Sequence, residues 1–94
     1  RGRIITISSI AAFKGNENSA IYSTAKAAVV EYTRCLATEL RPFNIAVNSI
    51  APGDTRTGRF LGTRKVAEER LVEEGTLDRI GLVDEVARVV EFFA

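Results

Sequence analysis

A tyrosine, three small residues and a lysine stand together in the order YSTAK at positions 22 to 26. Tyr22 and Lys26 are four positions apart, and residues at i and i+4 share one face of a helix. A lysine ammonium beside a tyrosine favours the phenolate, and the positive end of the helix dipole acts in the same direction. Such a tyrosine can exchange a proton with a carbonyl or alcohol oxygen. The alternative is an exposed helix pair without a chemical role, because so short a pattern also arises by chance.

Two other short segments carry residues that suit the same chemistry. Ser8 and Ser9 follow the apolar run RIITI, and Pro52 and Gly53 follow the run IAVNSI. A serine hydroxyl can hydrogen-bond a substrate oxygen and hold it in place, or it can cap the backbone of a loop. The Pro-Gly pair can form the wall of a ligand site or a plain turn.

The pattern of apolar residues predicts the elements that position these side chains. Residues 3–7 are short, β-branched and apolar on both faces, which predicts a strand buried on both sides. Residues 8–18 are rich in Ser, Gly and Asn and predict a loop. Apolar residues then recur at helical spacing over 19–40, and Pro42 ends that helix. Ile45–Ile50 predicts a second strand.

The rest of the chain predicts two more helices. Residues 54–62 read as a loop, and 64–74 read as a charged surface helix that ends at Gly75. Residues 84–94 predict a last amphipathic helix, with an apolar face formed by Val86, Val89, Val90 and Phe93. Cys35 is predicted to be a small buried apolar residue of the first helix.

The order of strands and helices predicts an α/β fold with parallel strands. In an open parallel sheet, ligands bind beyond the carboxyl ends of the strands. The two serines, the Pro-Gly pair and the start of the first helix should all lie at that edge. The sequence therefore predicts one site that contains Ser, Tyr, Lys and a Pro-Gly loop.

Composition excludes several other classes of function. The 94 residues include no histidine and one cysteine, which excludes a Ser-His-Asp triad and a Cys/His zinc site, so no metal is expected. Thirteen Lys and Arg against twelve Asp and Glu give a net charge of +1, which does not favour binding to nucleic acid. No apolar run reaches the length of a membrane span.

Four blocks of this sequence, in order, are similar to those of a known family. They are GRIITISS at 2–9, YSTAK at 22–26, NSIAPG at 48–53 and RIGLVDEVARVVEFFA at 79–94. Together they resemble the C-terminal half of the short-chain dehydrogenase/reductases, the Rossmann-fold NAD(P)-dependent oxidoreductases. The first block is similar to that of 3-oxoacyl-acyl-carrier-protein reductases, but other subfamilies share it. The resemblance implies part of a doubly wound parallel sheet.

The resemblance implies reversible hydride transfer between a nicotinamide, of NAD or NADP, and a carbonyl/alcohol pair. Tyr22 would be the catalytic acid or base and would lie against the cofactor. Lys26 would assist Tyr22 and hydrogen-bond the nicotinamide ribose. Ser9 would orient the substrate oxygen, whereas Ser8 is expected to bond to the backbone.

The resemblance also implies further contacts with the cofactor. Pro52 and Gly53 would lie beside the nicotinamide ring. Thr55 and Thr57 match positions that contact the carboxamide or the phosphates, and for these two an ordinary loop role is equally consistent with the sequence. Residues 55–75 would form the substrate lobe.

The family's glycine-rich TGxxxGIG loop, its NNAG segment, its catalytic asparagine and its last strand are not among these 94 residues. We therefore expect residues 1–94 to be a partial Rossmann domain that carries the catalytic half without the dinucleotide-binding half. The chain has no methionine, and both of its ends read as interior segments, which also predicts a piece of a longer protein. The isolated chain is expected to be inactive and to bind NAD(P)H weakly or not at all.

The resemblance implies a cytoplasmic enzyme that acts on a small molecule, without nucleic acid or membrane as a partner, and that forms a homodimer or homotetramer. The competing hypothesis is a truncated, non-enzymatic interaction module. Such a module would pair through the helix over 19–40 or through an exposed edge of the sheet.

Overall fold

The computed structural model describes residues 2–54 and 81–94. Its main elements, in chain order, are β1 (Gly2–Ile7), α1 (Ala20–Leu40), β2 (Ile45–Ile50) and α2 (Val83–Phe93). Two short 3-10 helices lie at Ile10–Phe13 and Arg41–Phe43. This order confirms the predicted α/β class.

The two strands form a parallel pair in simple register, from Gly2 beside Ile45 to Ile7 beside Ile50. Both strands are rich in β-branched residues, which pack well on a pleated surface. Because the strands are parallel and in register, both end at the same edge of the sheet. The segments that follow Ile7 and Ile50 therefore start side by side.

Helix α1 is fixed to one face of the sheet through buried hydroxyl groups. The Oγ1 atoms of Thr6 and Thr33 lie 2.7 Å apart, and Thr33 Oγ1 donates to the carbonyl oxygen of Val29 over 2.7 Å. Thr33 has one hydroxyl proton, so Thr6 is the donor in the link between the strand and the helix. Thr33 is only 6% exposed, which makes this link part of the packed interface between β1 and α1.

Helix α2 packs on the opposite face of the sheet. Side chains alternate along a strand, so Arg3 and Ile7 point away from the face that carries Thr6. The Nε atom of Arg3 donates to the carbonyl oxygen of Ala94 over 3.1 Å, directly after α2. Helices on both faces of a parallel pair are consistent with part of a Rossmann-type sheet.

Local sequence explains both ends of α1. Asn18 has a left-handed φ of 58° just before the helix, and Asn44 has a φ of 57° just after the second 3-10 helix. Asparagine tolerates this conformation better than most residues do. The N–H of Asn44 donates to the carbonyl oxygen of Arg41 over 3.0 Å and closes the turn that leads into β2. Helix α1 ends at Leu40, which confirms the boundary predicted from Pro42.

Two burial predictions are wrong. β1 was expected to be buried on both faces, but Ile4 and Ile7 are 36% and 42% exposed. One neighbouring strand and two helices, within the described ranges, do not cover all of the surface of β1.

Cys35 is exposed, because it lies on the side of α1 that points away from the sheet. Its Sγ atom is 3.8 Å from Glu31 Oε1.

The predicted loop over 8–18 contains one element that the sequence did not indicate, the 3-10 helix Ile10–Phe13. Most of the predicted loop over 54–62, the predicted helix over 64–74 and Gly75 lie outside the described residues. None of the helices within 2–54 and 81–94 is long and apolar enough to cross a bilayer.

Candidate active site

An open groove of about 470 Å³ lies at the edge where both strands end. It brings together the serines after β1, the start of α1, the Pro-Gly pair after β2 and one face of α2. Its lining residues are Ile7, Ser8, Ser9, Tyr22, Lys26, Pro52, Gly53, Val83, Val86, Ala87 and Val90. The three segments predicted to meet at this edge do meet there.

Ser9 is the N-cap residue of the first 3-10 helix and lies two positions after the end of β1. Its backbone is extended, and its Oγ accepts a hydrogen bond from the N–H of Ala11 over 3.1 Å. That bond uses an acceptor site of the hydroxyl and leaves its proton for donation to another oxygen. The capping role and the substrate role proposed for Ser9 are therefore compatible.

Tyr22 and Lys26 lie in the first two turns of α1. The Tyr22 side chain is partly open to the groove, since the residue is 46% exposed. Lys26 Nζ lies 5.8 Å from the centroid of the Tyr22 ring, within the range of a cation–π contact. Lys26 Nζ also donates to the carbonyl oxygen of Ile7 over 3.2 Å. An ammonium group has three protons, so two further donations remain possible.

Ser8 faces α1 and is 3% exposed. Its Oγ donates to the carbonyl oxygen of Lys26 over 2.8 Å, which confirms the expectation that Ser8 bonds to the backbone. Its N–H donates to the carbonyl oxygen of Ile50 over 2.7 Å and extends the sheet by one bond beyond the strands. Ser8 thus joins β1, β2 and α1 at the edge of the groove.

The Pro-Gly segment borders the groove beside the serines. The carbonyl oxygen of Pro52 accepts from the N–H of Ile10 over 3.1 Å, which ties the two loops together. A Cβ atom added to Gly53 would lie 3.7 Å from Ile10 Cδ1, an ordinary contact distance. The carbonyl oxygen of Asp54 accepts from the N–H of Gly81 over 3.0 Å, which brings the second described range to the same edge.

Part of the groove was not predicted from the sequence. Ile7 contributes a carbonyl oxygen that holds Lys26, and Val83 and Ala87 extend the apolar wall. Val86 and Val90 were predicted to share an apolar helix face, and that periodicity was the only signal that could have placed α2 at the site. Thr55 and Thr57, the other predicted cofactor contacts, lie outside the described residues.

The groove has two chemically different walls. One carries hydroxyl and ammonium donors from Ser9, Tyr22 and Lys26, and the other is formed by apolar side chains of β1 and α2. A flat ring with polar substituents suits such a site, because its faces contact apolar surface while its substituents reach the donors. The residues present therefore fit a nicotinamide and its ribose hydroxyls.

Comparisons with known proteins agree with this geometry. A family model described as Enoyl-(Acyl carrier protein) reductase matches residues 1–94. A 3-oxoacyl-(acyl-carrier-protein) reductase of Aquifex aeolicus is 41% identical over 91 residues, covering 97% of this chain and 37% of that protein.

Two solved structures are similar over nearly the whole chain. A short-chain type dehydrogenase/reductase from Mycobacterium ulcerans has a TM-score of 0.85 and 33% identity, covering 97% of this chain and 34% of that one. A 7α-hydroxysteroid dehydrogenase in complex with NADH and 7-oxo glycochenodeoxycholic acid has a TM-score of 0.88 and 32% identity, covering 97% of this chain and 36% of that one.

This chain thus spans little more than a third of the length of the relatives that it matches. The match of the family model covers every residue, and the similar solved structures agree with the parallel α/β fold. The chain belongs to the short-chain dehydrogenase/reductase family.

Proposed function

We propose that this chain carries the catalytic groups of an NAD(P)-dependent oxidoreductase that interconverts a carbonyl compound and an alcohol. The proposal rests on one observation: Tyr22, Lys26 and Ser9 line the same groove. The ends of both strands and the start of α1 form this part of the groove. The 5.8 Å distance between Lys26 Nζ and the centroid of the Tyr22 ring supports the proposal, because it brings a positive charge near that ring.

In the direction of reduction, the substrate oxygen lies between the hydroxyl groups of Tyr22 and Ser9. The Tyr22 hydroxyl gives its proton to that oxygen as negative charge develops there. The Ser9 hydroxyl donates a hydrogen bond to the same oxygen and holds it in position. The Lys26 ammonium stabilises the charge left on the Tyr22 oxygen, and in the direction of oxidation the tyrosinate takes the proton back.

The nicotinamide, when bound, supplies or accepts the hydride. The free donors of Lys26 would bind the ribose hydroxyls, and Pro52 and Gly53 would border the ring. Apolar contacts from Val86 and Val90 would exclude water from one side of the groove.

We further propose that residues 1–94 are the catalytic part of a longer polypeptide, called the full-length enzyme below. The share of the relatives that the chain covers supports this proposal. The 94 residues contain no glycine-rich TGxxxGIG loop, and such loops cradle the dinucleotide phosphates at a helix N-terminus.

The test is an assay of NADH and NADPH oxidation by the full-length enzyme against a panel of small ketones and thioester-linked 3-oxo compounds. We expect oxidation that depends on the carbonyl compound and transfers deuterium from labelled cofactor to the product carbon. A folded full-length enzyme that binds the cofactor but reduces none of these compounds would contradict the proposal. The isolated chain, titrated with NADH and followed by fluorescence, is expected to show weak binding or none.

The exposed side of α1 also suits association between copies of the chain. Ile21 and Tyr32 on this side are 88% and 62% exposed, and Ala25 and Ala28 lie between them at helical spacing. Large exposed apolar side chains beside small residues suit the close approach of another helix. We propose that this face joins subunits of a homodimer or homotetramer. A full-length protein that assembles through this face but neither binds NADH nor reduces any carbonyl compound would favour the interaction-module hypothesis.

A further inference from the structure

Two consecutive residues of the chain hold Lys26 at both of its ends. The carbonyl oxygen of Ile7 accepts from Lys26 Nζ over 3.2 Å, and Ser8 Oγ donates to the backbone carbonyl oxygen of Lys26 over 2.8 Å. The side-chain end and the backbone end of the lysine are therefore fixed by neighbouring groups at the end of β1. We propose that Ser8 is a positioning residue for catalysis, acting through Lys26. The inference rests on the proposed function.

The surroundings of Ser8 make its hydrogen bond a fixed part of the structure. The residue is 3% exposed, so little water can replace the bond to Lys26. Its own N–H is bonded to the carbonyl oxygen of Ile50, so its backbone is held by β2. Because the Ser8 hydroxyl is buried and its backbone is fixed, its bond to Lys26 sets where the second turn of α1 lies relative to the edge of the sheet.

A second hydroxyl link shows what Ser8 adds. Thr6 lies on β1 and Ser8 directly follows the strand; both face α1, and Thr6 bonds to Thr33 farther along the helix. The Ser8 link holds the second turn of the helix over the end of β1, beside Ser9. Ser8 is thus placed to set the distance between the Tyr22–Lys26 pair and the Ser9 hydroxyl.

The experiment compares Ser8→Ala with Thr33→Val in the full-length enzyme. Both substitutions remove one hydroxyl link between β1 and α1, but only the first removes the link beside the catalytic groups. We expect Ser8→Ala to lower kcat by between about tenfold and about a hundredfold, as for small misplacements of reacting groups, with a small change in KM for the carbonyl substrate. Thr33→Val should lower the midpoint of urea unfolding while kcat stays within about twofold of the unsubstituted enzyme. Ser8→Thr keeps the hydroxyl and should retain more kcat than Ser8→Ala.

A second readout does not depend on turnover. Acetylation of lysines by a water-soluble reagent, followed by mass spectrometry, reports how firmly Lys26 Nζ is held. In Ser8→Ala we expect Lys26 to be acetylated several-fold faster, relative to the exposed Lys14 in the same molecule, whereas Thr33→Val leaves that ratio unchanged. Equal effects of Ser8→Ala and Thr33→Val on kcat and on this ratio would overturn the inference.

Tyr22→Phe separates failure of the inference from failure of the proposed function. If Tyr22→Phe removes activity while Ser8→Ala behaves like Thr33→Val, only the role of Ser8 is wrong. If Tyr22→Phe keeps full activity, the assignment of Tyr22 as the proton donor is wrong, and if the unsubstituted enzyme reduces no carbonyl compound, the proposed function is wrong, whatever Ser8→Ala does.

Discussion

Lys26 Nζ lies 5.8 Å from the centroid of the Tyr22 ring and is bonded at the same time to the carbonyl oxygen of Ile7. The lysine therefore does two things at once in this structure: it joins α1 to the end of β1, and it places a positive charge beside the ring. On an isolated helix, no contact with a strand would fix two side chains four positions apart in this arrangement. The contact with the strand is what distinguishes it from an ordinary surface pair.

Replacement of Lys26 by methionine tests the role of this charge. Methionine keeps an unbranched apolar side chain of similar length but cannot stabilise a tyrosinate or bond to Ile7. We expect kcat/KM of the full-length enzyme to fall by about a hundredfold or more, in the range seen for loss of acid–base assistance. Binding of NADH or NADPH should weaken as well, measured by fluorescence titration.

Lys14→Met is the matched control for that substitution. Lys14 is exposed at the end of the first 3-10 helix and does not line the groove. Its replacement should leave kcat/KM within about twofold, the usual size of effects from exposed side chains away from a site. A similar loss in both variants would mean that the charge of Lys26 has no special role.

The hydrogen bond between Thr6 and the buried Thr33 makes a prediction about stability. Thr33→Val leaves the Thr6 hydroxyl without its partner beneath α1, and we expect a loss of about 1–3 kcal/mol in the free energy of unfolding. Replacing both Thr6 and Thr33 by valine removes donor and acceptor together and should cost less than the single change. Urea unfolding of the three proteins measures this. A double variant less stable than Thr33→Val would contradict the hydrogen bond between them.

The exposed face of α1 makes a prediction about assembly. Ala28→Glu places a carboxylate at the centre of this face, where a two-fold axis would bring two like charges together, and like charges in an interface cost several kcal/mol. We expect the full-length enzyme to shift toward smaller species in size-exclusion chromatography with light scattering. Thr38→Glu adds the same charge on another side of the helix and should leave the assembly unchanged.

The sequence predicted the elements well where local rules decide them. The second strand is Ile45–Ile50 as expected, and α1 begins one residue later than the predicted start at 19 and ends at Leu40, because periodicity and Pro42 define it. Burial was predicted less well. The exposure of Ile4 and Cys35 depends on which elements cover each surface, and composition and periodicity do not contain that information.

The candidate site, like the fold, was predicted from the sequence only in part. The meeting of Ser9, Tyr22 and Pro52 at one edge follows from the topology of a parallel pair, so the sequence sufficed to predict it. The bond from Ser8 to the carbonyl of Lys26 and the apolar wall of α2 depend on the exact packing distances between elements. The sequence indicated a backbone bond for Ser8 and an apolar face on the last helix, but not the partner of either.

The most direct test of the proposed mechanism compares the two tyrosines of the chain in the full-length enzyme. Tyr22→Phe removes only the hydroxyl proposed to move the proton, whereas Tyr32→Phe removes the same atom from the exposed side of α1, outside the groove. We predict that Tyr22→Phe lowers kcat for carbonyl reduction by between about a hundredfold and about ten-thousandfold. Tyr32→Phe should leave kcat within about twofold. A folded Tyr22→Phe enzyme that turns over as fast as the Tyr32→Phe control would contradict the assignment of Tyr22 as the proton donor.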